Sequence, residues 1–451
     1  MPVYSDEVTH DEDVHTKYKS HSTYALLTLL TTVIATFSIT LAMIVITGGT
    51  KKNTNIQTDS RTNKTVILIS IDGFRWDFFE KYSSSCPNMR DRIFNGKNKQ
   101  NRKGVTTTKM VPVFPSKTFP NHISLVTGVY PEDHGIVSNN MYNPMDKSSF
   151  SMSTKDTKWW GMGNAEPIWV TCEKQNVTTA TFFWPGSNIK IKGYTPTYFE
   201  EDYNGGIKYS ARVDKLLSYL SLDKRPHLLL TYFEGVDSAA HTYGPDADQV
   251  STAIKLVDDA IGRLLDGLDE RNVDANIVVV SDHGMASMDK QNTVLLSEFY
   301  PDIMKYKVVN EGPLMDIFTN DSSVKDVYDG IMRAKNDYNL TQIEVYLKES
   351  IPREYHYSDN DLIAPIVIEA KVGWKVLRSS RSYSTKGDHG FNNTAPEMGA
   401  FFLANGPLLR NDGSVQRQFD NIHLYSLLAK MLNVTESPTK GSWRSVQYLL
   451  N

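Results

Sequence analysis

Three aspartates each follow an apolar run. Asp72 ends VILISID, Asp237 follows LLLTYFEGV, and Asp282 ends IVVVSD. Histidines accompany them. His241 stands four residues after Asp237 in DSAAH, a spacing that puts both side chains on one helical face. His283 adjoins Asp282 in SDHG, and His389 sits beside glycine in GDHGF. Carboxylates gathered at one place repel one another unless a cation lies among them. A mixture of carboxylate and imidazole suits zinc better than magnesium or calcium, which prefer all-oxygen shells. Taken singly, each aspartate has a plainer reading as the cap of the helix that follows it. Taken together, the six residues predict a metal centre.

A hydroxyl stands out in VPVFPSKTFPNHISLVTGVYPEDHG, residues 111–135. Thr118 precedes an apolar helical pattern in which Pro120 suits a first turn and Gly128 a stop. This position predicts a helix-capping threonine. The same helix end is electropositive and gathers phosphate, and a hydroxyl bound to a divalent cation can ionise at neutral pH. Capping and nucleophilic attack are therefore expected of one residue.

These residues need a frame. Apolar runs bounded by turn residues include VILISI, HLLLTYF, NIVVVS, APIVIEA and GAFFLA. Between two of them lies a helical pattern with Val250, Ile254, Val257, Ile261, Leu264, Leu265 and Leu268 on one face. Continuous apolar strands alternating with amphipathic helices predict an α/β fold, with a mostly parallel central sheet covered by helices on both faces. In such a sheet the carboxyl ends of the strands share an edge, which is where the three aspartates would meet.

The 451-residue chain has a formal net charge of -4 and a pI near 6.3. This balance argues against a partner of duplex nucleic acid, which calls for a basic face. Tyr24–Ile46, YALLTLLTTVIATFSITLAMIVI, carries no charge and is long enough to span a bilayer as a helix. Its hydroxyls can bond back to carbonyls one turn earlier. A signal anchor is expected rather than a cleaved signal peptide, because a polar, acidic stretch precedes the run. The expected division is a cytoplasmic tail at 1–23, a transmembrane signal anchor at 24–46, a stalk at 47–65 and one catalytic domain at 66–451. Lys17 and Lys19 before the span are outnumbered by Lys51, Lys52, Arg61 and Lys64 after it, a bias that alone would place the large domain inside. That rule weakens for long translocated domains. Six glycosylation sequons follow the span, at Asn63, Asn176, Asn320, Asn339, Asn392 and Asn433, and they permit an outside domain. Two cysteines, Cys86 and Cys172, could form one disulfide or remain buried thiols.

The segments SIDGFRWD, KTFPNHISLVTGVYPEDHGIVSNNMYNP, FFWPGS, DSAAHTYGP, SDHGM and GDHGF occur in this order. From about Val66 onward the chain resembles the ectonucleotide pyrophosphatase/phosphodiesterase family, within the alkaline phosphatase superfamily, and looks like a short-form member. The resemblance implies an alkaline-phosphatase-like fold and two Zn2+ ions. Asp72, Thr118, Asp282 and His283 match the ligands of one zinc, and Asp237, His241 and His389 those of the second. Thr118 matches the nucleophile, and Asn139, with Asn140 beside it, the donor to a phosphoryl oxygen. Phe119 and Tyr203 match an aromatic pair that sandwiches a base, and Trp184 lies in the WPGS segment that lines the nucleotide pocket. The implied reaction hydrolyses extracellular nucleotides, among them NAD, dinucleoside polyphosphates and nucleoside triphosphates, to nucleoside 5'-monophosphates. It runs at the plasma membrane, with the domain of a single-pass type II protein outside. Two alternatives stand beside it: a lipid or choline phosphodiesterase of the same fold, and an inactive surface binding protein. Three positions depart from the family pattern: FEGVD precedes the second-site aspartate, Ala240 precedes His241, and Asn188 follows WPGS.

Overall fold

The computed structural model describes residues 65–379 and 385–451, which fall within one compact unit, Ser60–Asn451. The expected tail, membrane span and nearly all of the stalk lie outside the described residues. Among the described residues, no helix is long and apolar enough to cross a membrane.

Seven strands form the central sheet: β1 (Val66–Ile71), β2 (Val105–Thr107), β3 (Thr179–Phe182), β4 (Leu228–Phe233), β5 (Asn276–Val280), β6 (Phe402–Asn405) and β7 (Val415–Gln416). Their spatial order is β7-β2-β6-β5-β1-β4-β3. β1 lies between β4 and β5 and runs parallel to both, with Val66 opposite Leu228 on one side and Asn276 on the other. β3 extends the parallel set beyond β4. β6 alone runs against its neighbours β5 and β2, so the sheet is mixed.

Alternation along β1 feeds two cores, as a strand covered on both faces requires. Val66 and Leu68 pack with Ile123 of α1 (Thr118–Thr127), Ile168 of α2 (Ile168–Lys174) and further apolar residues on the same side. Ile67, Ile69 and Ile71 pack on the opposite side with Val213 of α3 (Tyr209–Tyr219), Val236 of α4 (Gly235–Tyr243) and Val257 and Ile261 of α5 (Asp248–Glu270). Helix α5 buries Val250, Ile254, Val257, Ile261, Leu264 and Leu268, the face read from the sequence, while Leu265 is only half-buried. Truncating a β1 isoleucine to alanine in such a core costs about 2–5 kcal/mol.

A second, antiparallel sheet joins Lys307–Val308, Leu314–Phe318, Ile366–Ala370 and Ile343–Leu347 in that order. Helix Val324–Asp337 covers one face through Val327 and Ile331, against Ile317 and Ile368. Leu314 and Val367 turn the other way, into a core shared with the central sheet. The run APIVIEA therefore belongs to this sheet and not to the central one. GAFFLA does join the central sheet, but reversed, as β6. Both differences have one cause: burial on two faces yields a continuous apolar run whatever the sheet or direction. Cys86 and Cys172 are separate, buried thiols.

Candidate metal centre and its cleft

Because β1, β4 and β5 are parallel, their carboxyl ends deliver three acids to one edge. Asp72 follows β1 directly, Asp282 follows β5 after one serine, and Asp237 lies in the first turn of α4. Gly73 makes the approach possible. Its φ is +65°, and a Cβ there would stand 2.9 Å from the Asp237 Cβ and 3.0 Å from its Oδ1. The Gly73 N–H donates to Asp282 Oδ1 at 3.1 Å, while the Tyr232 hydroxyl donates to Asp72 Oδ2. Among the described residues, Asp72 Oδ1, Asp237 Oδ1 and Asp282 Oδ2 are buried without a hydrogen-bond partner.

The histidines face these oxygens in a common way. Each Nδ1 lies 2.8 Å from a backbone carbonyl: Gly387 for His241, Gly284 for His283 and Ser116 for His389. A carbonyl only accepts, so each Nδ1 carries a proton and each Nε2 is the ring nitrogen left facing the cluster. That is how backbone groups orient metal-binding imidazoles. His283 Nε2 is 3.0 Å from Asp282 Oδ2 and 3.4 Å from Asp72 Oδ1. His241 and His389 direct Nε2 to Asp237 Oδ1 at 3.5 and 3.6 Å.

Electrostatics shows the strain of this gathering. Burial, and then the charges of Asp282 and Asp237, hold the Asp72 carboxyl well above the usual range. Burial raises Asp237 as well. Burial acts on Asp282 in the same sense, but the charges of His283 and His122 outweigh it and hold that carboxyl well below the usual range. Burial, and then His283 and Lys117, keep His389 well below the ordinary imidazole range. Inward-facing orphaned oxygens and Nε2 atoms are a donor set fitted to divalent cations.

Ligand-capable atoms come within 4.8 Å of one another in three groups: Asp72 with Asp282 and His283, Asp237 with His283 and His389, and His241 with Asp388 and His389. The structure thus brings together all six acids and imidazoles expected at the site. His283 stacks on His389 with ring centroids 3.6 Å apart, so the groups form one cluster. Asp388 was not among the expected residues, although it is the aspartate of GDHGF. It pairs with Lys117 at 3.5 Å. His122 was also unexpected. It lies 2.8 Å from Ser70 Oγ and 3.4 Å from Asp282 Oδ2.

Thr118 differs from expectation in one respect. The N-cap of α1 is Lys117, in extended conformation and without a side-chain cap bond, and Thr118 is the first helical residue. Its hydroxyl does not cap. It lies buried, 3.4 Å from His283 Nε2. One residue along, the Phe119 N–H donates to Asn139 Oδ1 at 2.8 Å, and Asn139 lines the cleft. Asn140 is exposed and does not line it.

A cleft of 660 Å³ opens over the cluster, and Thr118, Phe119, Asn139, Trp184, Tyr203 and Glu234 are among its lining residues. Phe119 neighbours Phe150 and Trp160. Tyr203, 53% exposed, stands 5.0 Å from the Phe183 ring and 6.1 Å from that of Tyr232. Trp184 is buried, with its indole N–H donated to the His122 carbonyl at 3.3 Å. Two of the three departures in sequence have visible partners. Glu234 of FEGVD receives two bonds from the buried Arg212, at 2.7 and 2.9 Å, and Asn188 donates to the Glu201 carbonyl at 2.7 Å.

The profile of the type I phosphodiesterase/nucleotide pyrophosphatase family matches residues 66–392. Human ectonucleotide pyrophosphatase/phosphodiesterase family member 1 is 35% identical over 85% of this chain, and the chain spans only 41% of that relative's length. An uncharacterised pyrophosphatase/phosphodiesterase of Schizosaccharomyces pombe is 35% identical over 92% of this chain and 85% of its own. Among solved structures, an inactive threonine-to-alanine variant of murine ectonucleotide pyrophosphatase/phosphodiesterase 5, in complex with AMP, is 34% identical. It superposes with a TM-score of 0.78, covering 86% of this chain and all of that one.

Proposed function

The chain belongs to the type I phosphodiesterase/nucleotide pyrophosphatase family, and from that premise we propose that it is a zinc-dependent hydrolase of extracellular nucleotides. It cleaves phosphodiester and phosphoanhydride bonds and releases nucleoside 5'-monophosphates. NAD, dinucleoside polyphosphates and nucleoside triphosphates are the proposed substrates. The observation that carries this reading is the cluster's inward face, where three carboxylate oxygens without hydrogen-bond partners among the described residues meet three Nε2 atoms beside the Thr118 hydroxyl.

In this reading Asp72, Thr118, Asp282 and His283 hold one Zn2+, and Asp237, His241 and His389 the other. Bound there, the ions supply positive charge that makes a hydroxyl acidic and offsets charge developing on phosphoryl oxygens. Thr118 Oγ1 attacks phosphorus and forms a bond to it as the bond to the leaving group breaks, which leaves a nucleotidyl-threonine. Water then adds to phosphorus and the threonine oxygen departs, freeing the 5'-monophosphate. The Asn139 amide nitrogen donates to a non-bridging oxygen. Phe119 and Tyr203 stack on the base from the two sides of the cleft, which tolerates different bases because every base has a π face. Trp184 backs the pocket. The AMP bound in the murine relative supports a nucleotide in such a cleft, and its inactivating threonine substitution agrees with a threonine nucleophile.

Residues 66–451 form the catalytic domain in this proposal, outside the plasma membrane on a stalk at 47–65, with a single type II anchor at 24–46 and a cytoplasmic tail at 1–23. Zinc-loaded protein should hydrolyse a p-nitrophenyl nucleotide ester far faster than p-nitrophenyl phosphocholine, and a chelator should abolish the reaction. No turnover of any nucleotide ester would refute the enzyme reading, and a preference for the choline ester would refute the substrate class. Intact cells should hydrolyse a membrane-impermeant nucleotide ester, and activity appearing only after lysis would refute the orientation.

A further inference from the structure

Asn139 sits in residues 136–140, a stretch without helix or strand. No hydrogen-bonded ladder fixes its backbone, so its precision must come from neighbours. They lie in the second sheet and in the loops beside it. Asn310 lies just before Leu314–Phe318. Its Nδ2 is 3.2 Å from Ser138 Oγ and 3.1 Å from the Asn140 carbonyl oxygen. The same nitrogen donates to Asp316 Oδ2 at 2.5 Å. Two protons thus serve three acceptors, and the shortest contact is to the carboxylate. Asp316 is buried, and its other oxygen has no hydrogen-bond partner. Burial pushes its pKa up to about 6. A carboxylate in that place is costly, and the amide it anchors is its evident use. The Tyr357 hydroxyl adds a bond to the Val137 carbonyl at 3.1 Å.

The residues on both sides of Asn139 are therefore tied to one amide, and Asn139 Oδ1 is tied to the Phe119 N–H, next to Thr118. We propose that Asn310, anchored by Asp316, is a positioning residue that aims the Asn139 amide nitrogen at the phosphoryl oxygen. This rests on the donor role proposed above for Asn139. A donor that acts mainly in the transition state must be held to within about 0.5 Å of its productive place. The second sheet thereby takes part in the chemistry without touching substrate.

The test is a double-substitution cycle on the zinc-loaded enzyme with a p-nitrophenyl nucleotide ester. Asn139→Ala should lower kcat about 100-fold. Asn310→Ala should lower it about tenfold with KM little changed, as for an interaction made in the transition state. The double variant should match Asn139→Ala alone, because Asn310 acts only through that side chain. Asn310→Ser, which keeps a donor hydroxyl, should fall between wild type and Asn310→Ala, and it stands in should the alanine variant fail to fold. Zinc content should not change in any of them. If the Asn310 loss persists undiminished in the Asn139→Ala background, Asn310 is structural only and the proposal is overturned. If Asn139→Ala itself leaves kcat intact, the donor role of Asn139 fails, and this inference with it.

Discussion

Gly73→Ala probes how closely the acid cluster must be drawn together. The new methyl carbon would begin 2.9 Å from the Asp237 Cβ, 3.0 Å from its Cα and 3.0 Å from Oδ1. Carbon atoms pack comfortably at about 3.5–4.0 Å, so Asp237 or Asp72 must withdraw by at least roughly 0.6 Å. The backbone cannot rotate away cheaply, because φ of +65° already costs a non-glycine residue about 1–2 kcal/mol. Strain and repacking together should lower stability by about 2–4 kcal/mol. A displacement of this size at reacting groups should cost about 10–100-fold in kcat. The Gly73 N–H to Asp282 bond is at risk too, so zinc affinity should drop. Urea unfolding, zinc retention against a chelator, and turnover of a nucleotide ester measure the three effects separately. An alanine variant with wild-type stability, zinc affinity and turnover would refute the claim that Asp72 and Asp237 meet through a gap only glycine leaves.

Thr118→Ala should abolish turnover while the fold and zinc content stay near wild type, since in the proposed site its oxygen would be one ligand among several and it makes no cap bond. Residual normal turnover would displace it as nucleophile. Glu369 is buried, and burial pushes its pKa up to about 7. The folded state therefore holds a proton that the unfolded state releases, and stability should fall as pH rises from about 4.5 to 7. Glu369→Gln should flatten that slope in urea titrations, and an unchanged slope would clear Glu369 of the effect. Among described sequons, Asn176, Asn320, Asn339 and Asn433 are exposed, while Asn392 is half-buried and its Nδ2 donates to the Tyr355 hydroxyl at 2.8 Å. Glycosidase release in heavy-oxygen water, read by mass spectrometry, should mark the first four and spare Asn392.

The acids and imidazoles were legible because chemistry and pattern coincided: aspartates at the ends of apolar runs must share an edge if the strands are parallel. What hid was of a different kind. Strand direction leaves no trace in composition, so GAFFLA gave no hint of running backwards, nor APIVIEA of leaving the sheet. A threonine ahead of an apolar helical pattern reads as a cap because helix boundaries blur by a residue, yet that place falls to Lys117. Asp388 was overlooked because the histidine beside it already explained its motif. Tyr232 looks like one more apolar strand residue, yet its hydroxyl reaches Asp72. Asn310 and Asp316 lie in a stretch with no recognisable signature, and their importance arises from a fold that sets residue 310 against residues 138 and 140.

The donors of the cluster run from Asp72 to His389, so most of the polypeptide separates the first from the last. A growing chain leaving the ribosome holds one of the six acids and imidazoles until residue 237, five of them by His283, and the sixth only at His389. Loading of the complete cluster must then follow synthesis of most of the domain. The carbonyls that orient the imidazoles belong to the folded backbone and not to any ion, so an emptied protein should accept fresh metal without having to unfold.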